Sequence, residues 1–398
     1  MRKISPLLLT AIKDAQMRLK EEMHIDSLPE TGAQNEIKFN FIPNSQASKE
    51  NSVKSNNEKC HDVYVTGDKI SEYDTFKENL VEKWVSKPHR DSEFASQGLC
   101  HIGEYTLMTS YDTSDTGNWL TSGAKAIIGM DDWDTKTSNS RLDIVDEQGR
   151  TKTLYFNHDG HVGGIGFDNS SNNVYVSYGS KVQVFSTDTI ESAKNGETIK
   201  PDNTINVPKE VGTASYLTAH DGVLYIGKFD EEKDTKLAIC QLDEKGEVTD
   251  TKIVDVPYEK VQGFEVVHHN GQDYYLFSTS YGRGNDSKLI IATLNEDNEF
   301  ERIGSVKMPA MAEQISLDKD GNLGIIFESD SINYAGSKQS IGNVLYVDIE
   351  SVIDEKLEIR DKIMGMLGVD KDADNDRSID GIVSDTPPPD FDSGFEML

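Results

Sequence analysis

One pattern returns about every fifty residues, and it constrains the fold more than any other feature of the chain. Short β-rich runs separated by Gly, Asn and Asp turns open at Gln97, Gly163, Ser215, Gln262 and Glu313, at spacings of 66, 52, 47 and 51 residues. Self-similarity at this period marks a β-propeller. Each unit reads as a four-stranded meander: the first is QGLCHIG, YTLMTSYD, RLDIVDEQG and TKTLYF. A lone meander cannot bury both its faces, whereas blades packed radially bury each other's. The expectation is an all-β chain forming a five-bladed propeller with short flanking helices.

The fifth unit lacks a convincing fourth strand, and HDVYVTG at 61–67 is an unassigned strand upstream of the first unit. The economical solution is that 61–67 closes the last blade. The alternative is six blades, with 60–96 forming an irregular extra one. Around the propeller at 60–354, residues 1–59 read as a helix at 5–23 followed by a polar linker. Residues 355–398 read as a helix near 355–367 and a disordered acidic tail from Asp370. A further amphipathic helix is expected from Tyr73 to Val85.

Composition narrows the partners. Acidic residues number 70 against 40 basic, a formal charge of −30. Such a surface repels nucleic acid and anionic membranes and favours cationic ligands or divalent metals. No apolar run reaches membrane-spanning length. Leu7, Leu8 and Leu9 are interrupted by Lys13 and Asp14, too early for a secretory core. Cys60, Cys100 and Cys240 are odd in number and widely spaced, which argues against a disulfide framework or a zinc site. Cytoplasmic residence is expected; export without a classical signal peptide is the alternative.

Topology then locates a site. The starts of innermost strands and the ends of second strands converge on one face around the axis. That gathers Gln97, Tyr111, His161, Tyr178, Gln262, Tyr281, Arg283, Glu313 and Glu328 as candidate ligand-binding residues. Glu313 and Glu328 should lie close enough to repel, so that a shared proton or a cation must sit between them. The 113–139 insertion, carrying Trp119 and Trp133, springs from the same face and reads as a lid or partner-binding flap. His158 and His161 lack an evident third metal ligand. Asp370, Asp372, Asp374 and Asp376 miss the Gly and Glu of a calcium loop. LPETG at 28–32 has no apolar anchor after it, and no nucleophile motif is present.

STSYGR (278–283), MPAMAEQI (308–315), IIFESDS (325–331), the QG blade starts and HVGGI (161–165) together resemble a poorly characterised group of bacterial β-propeller proteins. The resemblance covers about residues 94–350 and implies the propeller and a bacterial origin, with no activity attached. The architecture is more distantly similar to lactonase-like propellers, whose metal-binding residues do not map onto this chain. Two functions are therefore carried forward. One is a non-enzymatic ligand- or protein-binding propeller. The other is a metal-dependent, lactonase-like hydrolase using Glu313, Glu328 and His161 with a divalent cation in the channel.

Overall fold

A computed structural model describes residues 73–89, 92–113, 139–232, 234–334 and 336–366. The expected helix at 5–23, the linker, the strand at 61–67, the acidic tail and nearly all of the 113–139 insertion lie outside the described residues.

The described chain opens with α1 (Asp74–Glu78) and β1 (Leu80–Ser86). Blade 1 follows as β2 (Phe94–Ile102), β3 (Tyr105–Asp112), β4 (Arg141–Val145) and β5 (Thr151–Phe156). Blade 2 contains β6 (Ile165–Asp168), β7 (Asn173–Tyr178) and β8 (Lys181–Ser186). After β8 come α2 (Thr187–Ser192), β9 (Thr198–Ile199) and β10 (Asn203–Asn206). β10 completes blade 2, while β9 adds in parallel to the outer edge of β5. Blade 3 is β11 (Tyr216–His220), β12 (Val223–Gly227), β13 (Thr235–Leu242) and β14 (Val248–Val256). Blade 4 is β15 (Val261–His269), β16 (Gln272–Thr279), β17 (Ser287–Leu294) and β18 (Phe300–Met308). Blade 5 is β19 (Ala312–Leu317), β20 (Leu323–Phe327) and β21 (Asn343–Val347), with β1 as its fourth strand; α3 (Ile349–Met366) follows. The inner strands touch in sequence and β19 meets β2, so five blades close the ring.

Ring closure by an upstream strand is as expected, but the strand is a different one. β1 pairs antiparallel with β21, from Leu80 opposite Val347 to Ser86 opposite Asn343. The predicted 73–85 helix shrinks to the five residues of α1. The reason is that Leu80, Val81, Trp84 and Val85 fit a helical and an extended period equally well. Extended, Leu80 and Trp84 pack on the core between blades 4 and 5, and Val81 and Val85 on the core between blades 5 and 1. A free sheet edge with an apolar surface on both sides outweighs weak helix propensity. The C-terminal helix begins at Ile349, earlier than expected, because Ile349, Val352 and Ile353 join the blade 4–5 core.

The cores lie between the blades. Phe264, Phe277 and Tyr216 fill the seam between blades 3 and 4, and Tyr175, Leu217 and Ile226 the seam between 2 and 3. Around a narrow ring the inner strands approach until only glycine fits. A Cβ on Gly98 would stand 2.2 Å from Thr109 Oγ1 and 2.9 Å from Ile165 of the next blade. One on Gly263 would stand 2.6 Å from the carbonyl oxygen of Glu313. The glycine of each QG pair therefore serves blade-to-blade packing.

Candidate functional site

The glutamine of each QG pair has a different role. Pairing of β2 with β3 slips by one residue between Ser96 and Gly98, leaving Gln97 as the extra residue. The same slip falls at Gln262 in β15 and at Glu313 and Gln314 in β19. A β-bulge at the head of an inner strand re-aims a side chain that regular alternation would send elsewhere. Three blades use this device to turn long polar groups to the axis. In blades 4 and 5 the bulge follows a non-glycine residue in the left-handed region, Lys260 (φ 61°) and Met311 (φ 65°). The backbone carbonyls of Lys260 and Met311 accept from the N–H groups of Ser280 and Glu328, at 2.9 and 3.1 Å.

At this mouth of the channel the Glu313 carboxyl is buried and hydrogen-bonded to Glu328. Two carboxyls can share such a bond only if one holds a proton. Burial, then the neighbouring Glu328 charge and the bond donated to it, raises Glu313 well above the usual carboxylate range. Burial also pushes Glu328 up, to about 7, held there by bonds from Glu313, Gln97 and Tyr334 and by the Lys87 charge. Glu313 is thus the donor and Glu328 the acceptor.

The surrounding groups form a continuous network. The Gln97 side chain lies beside Glu328 and restrains its upward shift, while its Oε1 accepts from His161 Nδ1 at 3.2 Å. The His161 ring lies 4.1 Å from the Tyr111 ring, and the Tyr111 hydroxyl is 2.7 Å from that of Tyr334. Although His161 is solvent-exposed, the protein packed against its ring lowers its pKa, and the neutral imidazole that donates from Nδ1 to Gln97 presents a bare Nε2. Gln97, Tyr111 and Glu313 are buried, Glu328 and Tyr334 half-buried, and His161 exposed. The site therefore has a dry floor and an open rim.

Of the nine residues expected on this face, Gln97, Tyr111, His161, Glu313 and Glu328 form one cluster. Arg283 stands behind it: its guanidinium donates to the Asn333 carbonyl at 2.7 Å and lies 5.3 Å from the centre of the Tyr334 ring. Gln262 is half-buried at its bulge, with no side-chain hydrogen bond among the described residues. Tyr178 does not join the cluster. It stacks on His158 at 3.9 Å, and His158 in turn bonds Gln183 at 3.1 Å and accepts from Gly160 N–H. Tyr281 is also apart, 44% exposed and bonded to Glu231.

Two members escaped the sequence reading. Tyr334 sits in the blade 5 loop after β20, and no repeat position marks it. Lys87 follows the closing strand, whose placement was misread; its buried ammonium bonds Asp330 and the Phe327 carbonyl. Asn333, beside Tyr334, donates to the Thr113 hydroxyl, where the insertion leaves blade 1.

Below the floor, Gln314 spans the channel. Its Nε2 donates to the carbonyls of Leu217 at 2.9 Å, Ile315 at 3.2 Å and Phe264 at 3.4 Å. Further along, Glu265 is buried and accepts from Thr218, from Val266 N–H and from Leu317 N–H, with His220 Nε2 at 3.5 Å. On the opposite face, a cavity of about 310 Å³ opens between blades 5 and 1, beside Lys83, His101 and Asp318. Its lysines are already engaged, Lys83 with Asp318 and Lys319 with Glu147. Among the described residues, no group of three or more His, Cys, Asp or Glu side chains is arranged to hold a metal ion.

A ring of antiparallel meanders with polar groups gathered at one end of its channel defines a β-propeller with a candidate site at the mouth. No family model matches the sequence, and no curated protein matches it. Among solved structures, the chain is similar to a protein of unknown function from Bacteroides caccae, at 11% identity and TM-score 0.30. That match covers 46% of this chain and 60% of the other, less than two thirds of its length. It is similar to the WD40 β-propeller domain of Doa1 at 9% identity and TM-score 0.34, covering 68% and 98% of the two chains. The streptogramin B lyase structure is matched at 10% identity and TM-score 0.31, covering 67% and 96%. The five-bladed ring is read from the sheets themselves. No helix among the described residues is long and apolar enough to cross a membrane.

Proposed function

We propose that this protein is a non-enzymatic, small-molecule-binding β-propeller that takes its ligand at the channel mouth on the blade-start face. The observation that carries this reading is the Glu313–Glu328 pair, one carboxyl buried and one half-buried, beneath the exposed His161 and the half-buried Tyr334. Burying ionisable groups this way costs stability unless they are paired. Gln97 and Tyr334 stand against Glu328 and restrain its upward shift, and Tyr111 holds the Tyr334 hydroxyl at 2.7 Å. Rim groups with free valences, the His161 Nε2 and the Gln262 amide, are suited to meet a ligand. Thr113, where the 113–139 insertion begins, lies beside the mouth against Asn333.

The hydrolase reading needs a metal ion at Glu313, Glu328 and His161, and among the described residues these side chains are not grouped to hold one. Elemental analysis of the purified protein separates the two. A stoichiometric divalent metal lost on Glu313→Gln would replace the binding reading with the hydrolase. The binding reading itself is tested by a thermal-shift screen of small molecules against wild type, Glu313→Gln and Glu328→Gln. A ligand that shifts the wild type but neither variant supports it, and ligands that shift all three equally remove the mouth from function.

A further inference from the structure

The cavity between blades 5 and 1 lies at the seam where the ring closes. The core of this seam is Leu99, Met108, Val145, Ile326, Val344 and Tyr346, half as many buried residues as fill the seam between blades 2 and 3 or that between 3 and 4. Beside that small core the two facing sheets leave an open slot of about 310 Å³. Protein interiors rarely keep voids larger than a water molecule. Val85 of β1 and Val145 of β4 form its apolar walls, one from each blade. Thr106 stands opposite Val145 across β3 and β4, and its hydroxyl lies 3.4 Å from that of Tyr346. The Tyr346 hydroxyl is 2.9 Å from His101 Nε2, and His101 Nδ1 is 3.3 Å from the Ser316 hydroxyl. Both ring nitrogens of His101 are thus engaged, and burial holds its pKa down, at about 4, so the ring brings no charge to the slot. The charged side chains around the opening are paired with one another: Lys83 with Asp318 at 2.7 Å, and Asp146 with Arg150 at 2.5 Å. Lys319 of blade 5 meets Glu147 and Glu104 of blade 1 at 2.9 and 3.6 Å. These last three are exposed, and such long side chains can swing aside without moving the backbone.

We infer that this slot is a second binding site, for a neutral, flat aromatic molecule of bicyclic size that carries one hydroxyl or N–H donor. It is separate from the channel mouth and does not rest on the reading given there. Volume sets the size: a cavity of about 150 Å³ accommodates benzene, and this one is roughly twice as large. Shape sets the flatness, because sheet faces packed about 10 Å apart, with valine side chains projecting from both, leave a thin gap. Charge sets the neutrality. A carboxylate or an ammonium would have to displace one member of an existing ion pair or enter without a partner. The donor is set by Thr106, whose contact with Tyr346 is long and whose oxygen keeps a lone pair for one ligand N–H or O–H. A molecule seated here touches the closing strand on one side and blade 1 on the other. Its binding therefore stabilises the closed ring by mass action.

The probes are 2-naphthol and indole, with 2-naphthoate as the charged comparison and cyclohexanol as the non-planar one. Each is titrated calorimetrically into the full chain, and thermal melts are recorded with and without it. The expected result is one-to-one binding of naphthol and indole, each raising the melting temperature, with naphthoate and cyclohexanol weaker by about tenfold or more. Val145→Phe fills the slot from the blade 1 wall and should weaken naphthol by about tenfold or more. Thr106→Val removes one hydrogen bond and should weaken it by about fivefold. Failure of both naphthol and indole to bind overturns the inference. So does naphthoate or cyclohexanol binding as tightly as naphthol, or naphthol affinity unchanged in Val145→Phe or in Thr106→Val. Naphthol binding lost in Glu313→Gln would place the probe at the mouth and overturn it as well. If Val145→Phe fails to fold, nuclear Overhauser contacts in the wild type decide the location. Contacts from naphthol to the methyls of Val85 and Val145 support the slot, and contacts to other residues alone overturn it.

Discussion

The side-chain oxygen of Gln97 accepts a hydrogen bond from His161 Nδ1 at 3.2 Å, and the same side chain stands beside Glu328 and restrains its upward pKa shift. One bulge residue of blade 1 thereby sets the tautomer of a histidine in the next connection and lowers the pKa of a carboxyl in blade 5. Three segments far apart in sequence are coupled through a single amide.

Gln97→Met tests that coupling, since it keeps the length and removes both polar ends of the amide. His161 should lose its fixed tautomer and show a mixture of Nδ1–H and Nε2–H forms by nitrogen NMR. Glu328 should titrate above its present value of about 7. Loss of the part-buried bond to His161 and of the polar contact with Glu328 should lower stability by about 1–2 kcal/mol. An unchanged Nδ1–H signal would show that something other than Gln97 orients the ring.

Stability should fall as pH rises through the neutral range. Glu328 titrates at about 7 in the folded chain and near 4.5 unfolded, and Glu313 is also raised well above its ordinary value. Between these limits the folded state holds protons that the unfolded state has released. Each such proton lowers stability by up to about 1.4 kcal/mol per pH unit. The contribution is fully present below about pH 4.5 and is lost as pH climbs through 7 and beyond. Asp286 acts oppositely: although partly buried, it is held at about 2 by Lys307 and Lys338, so its contribution is lost in acid. Denaturant melts at pH 5, 6, 7 and 8 should show the decline in wild type and a shallower one in Glu313→Gln. Parallel curves would mean that the pair does not titrate in this window.

Much of this site was legible in the repeat because a propeller converts sequence period into angular position. Once Gln97, Gln262 and Glu313 share a phase, they must share a face, whatever the loops do. Tyr334 and Lys87 were not legible, since both lie outside the repeat and reach the mouth through irregular backbone. Tyr178 and Tyr281 had the right phase and missed the cluster. Phase fixes the end of a strand, but not the neighbour its ring prefers, and His158 captures Tyr178. The closing strand was misplaced for a related reason: Leu80, Val81, Trp84 and Val85 satisfy two periods, and only the vacant edge of β21 decides between them.

That edge gives a direct test of closure. Val85 pairs opposite Val344 and packs into the blade 5–1 core. Val85→Asp would place a carboxylate there without a partner and should destabilise the propeller by about 3 kcal/mol or more. Val85→Ile, which keeps shape and β-propensity, should be nearly neutral. If Asp is tolerated as well as Ile, β1 does not close the ring in solution.

Lys87 and Asp330 form the most deeply buried ion pair near the mouth, and they admit the sharpest stability measurement. Lys87 also bonds the Phe327 carbonyl at the end of β20, one residue before Glu328. Its charge therefore acts twice, neutralising Asp330 and restraining the upward shift of Glu328. Lys87→Met strands a buried carboxylate and should lower stability by about 3–5 kcal/mol. It should also move Glu328 further up, extending the pH-dependent decline into more alkaline solution. Asp330→Asn removes the carboxylate beside the Lys87 ammonium but keeps a hydrogen-bond acceptor and leaves the bond to the Phe327 carbonyl, so its penalty should be smaller. In the double variant, the Asp330 charge that Lys87→Met strands is no longer there. The combined loss should then fall short of the sum of the two single losses by at least about 1 kcal/mol. Additive losses would show that Lys87 and Asp330 act separately, and an unmoved Glu328 in Lys87→Met would detach this pair from the electrostatics of the mouth.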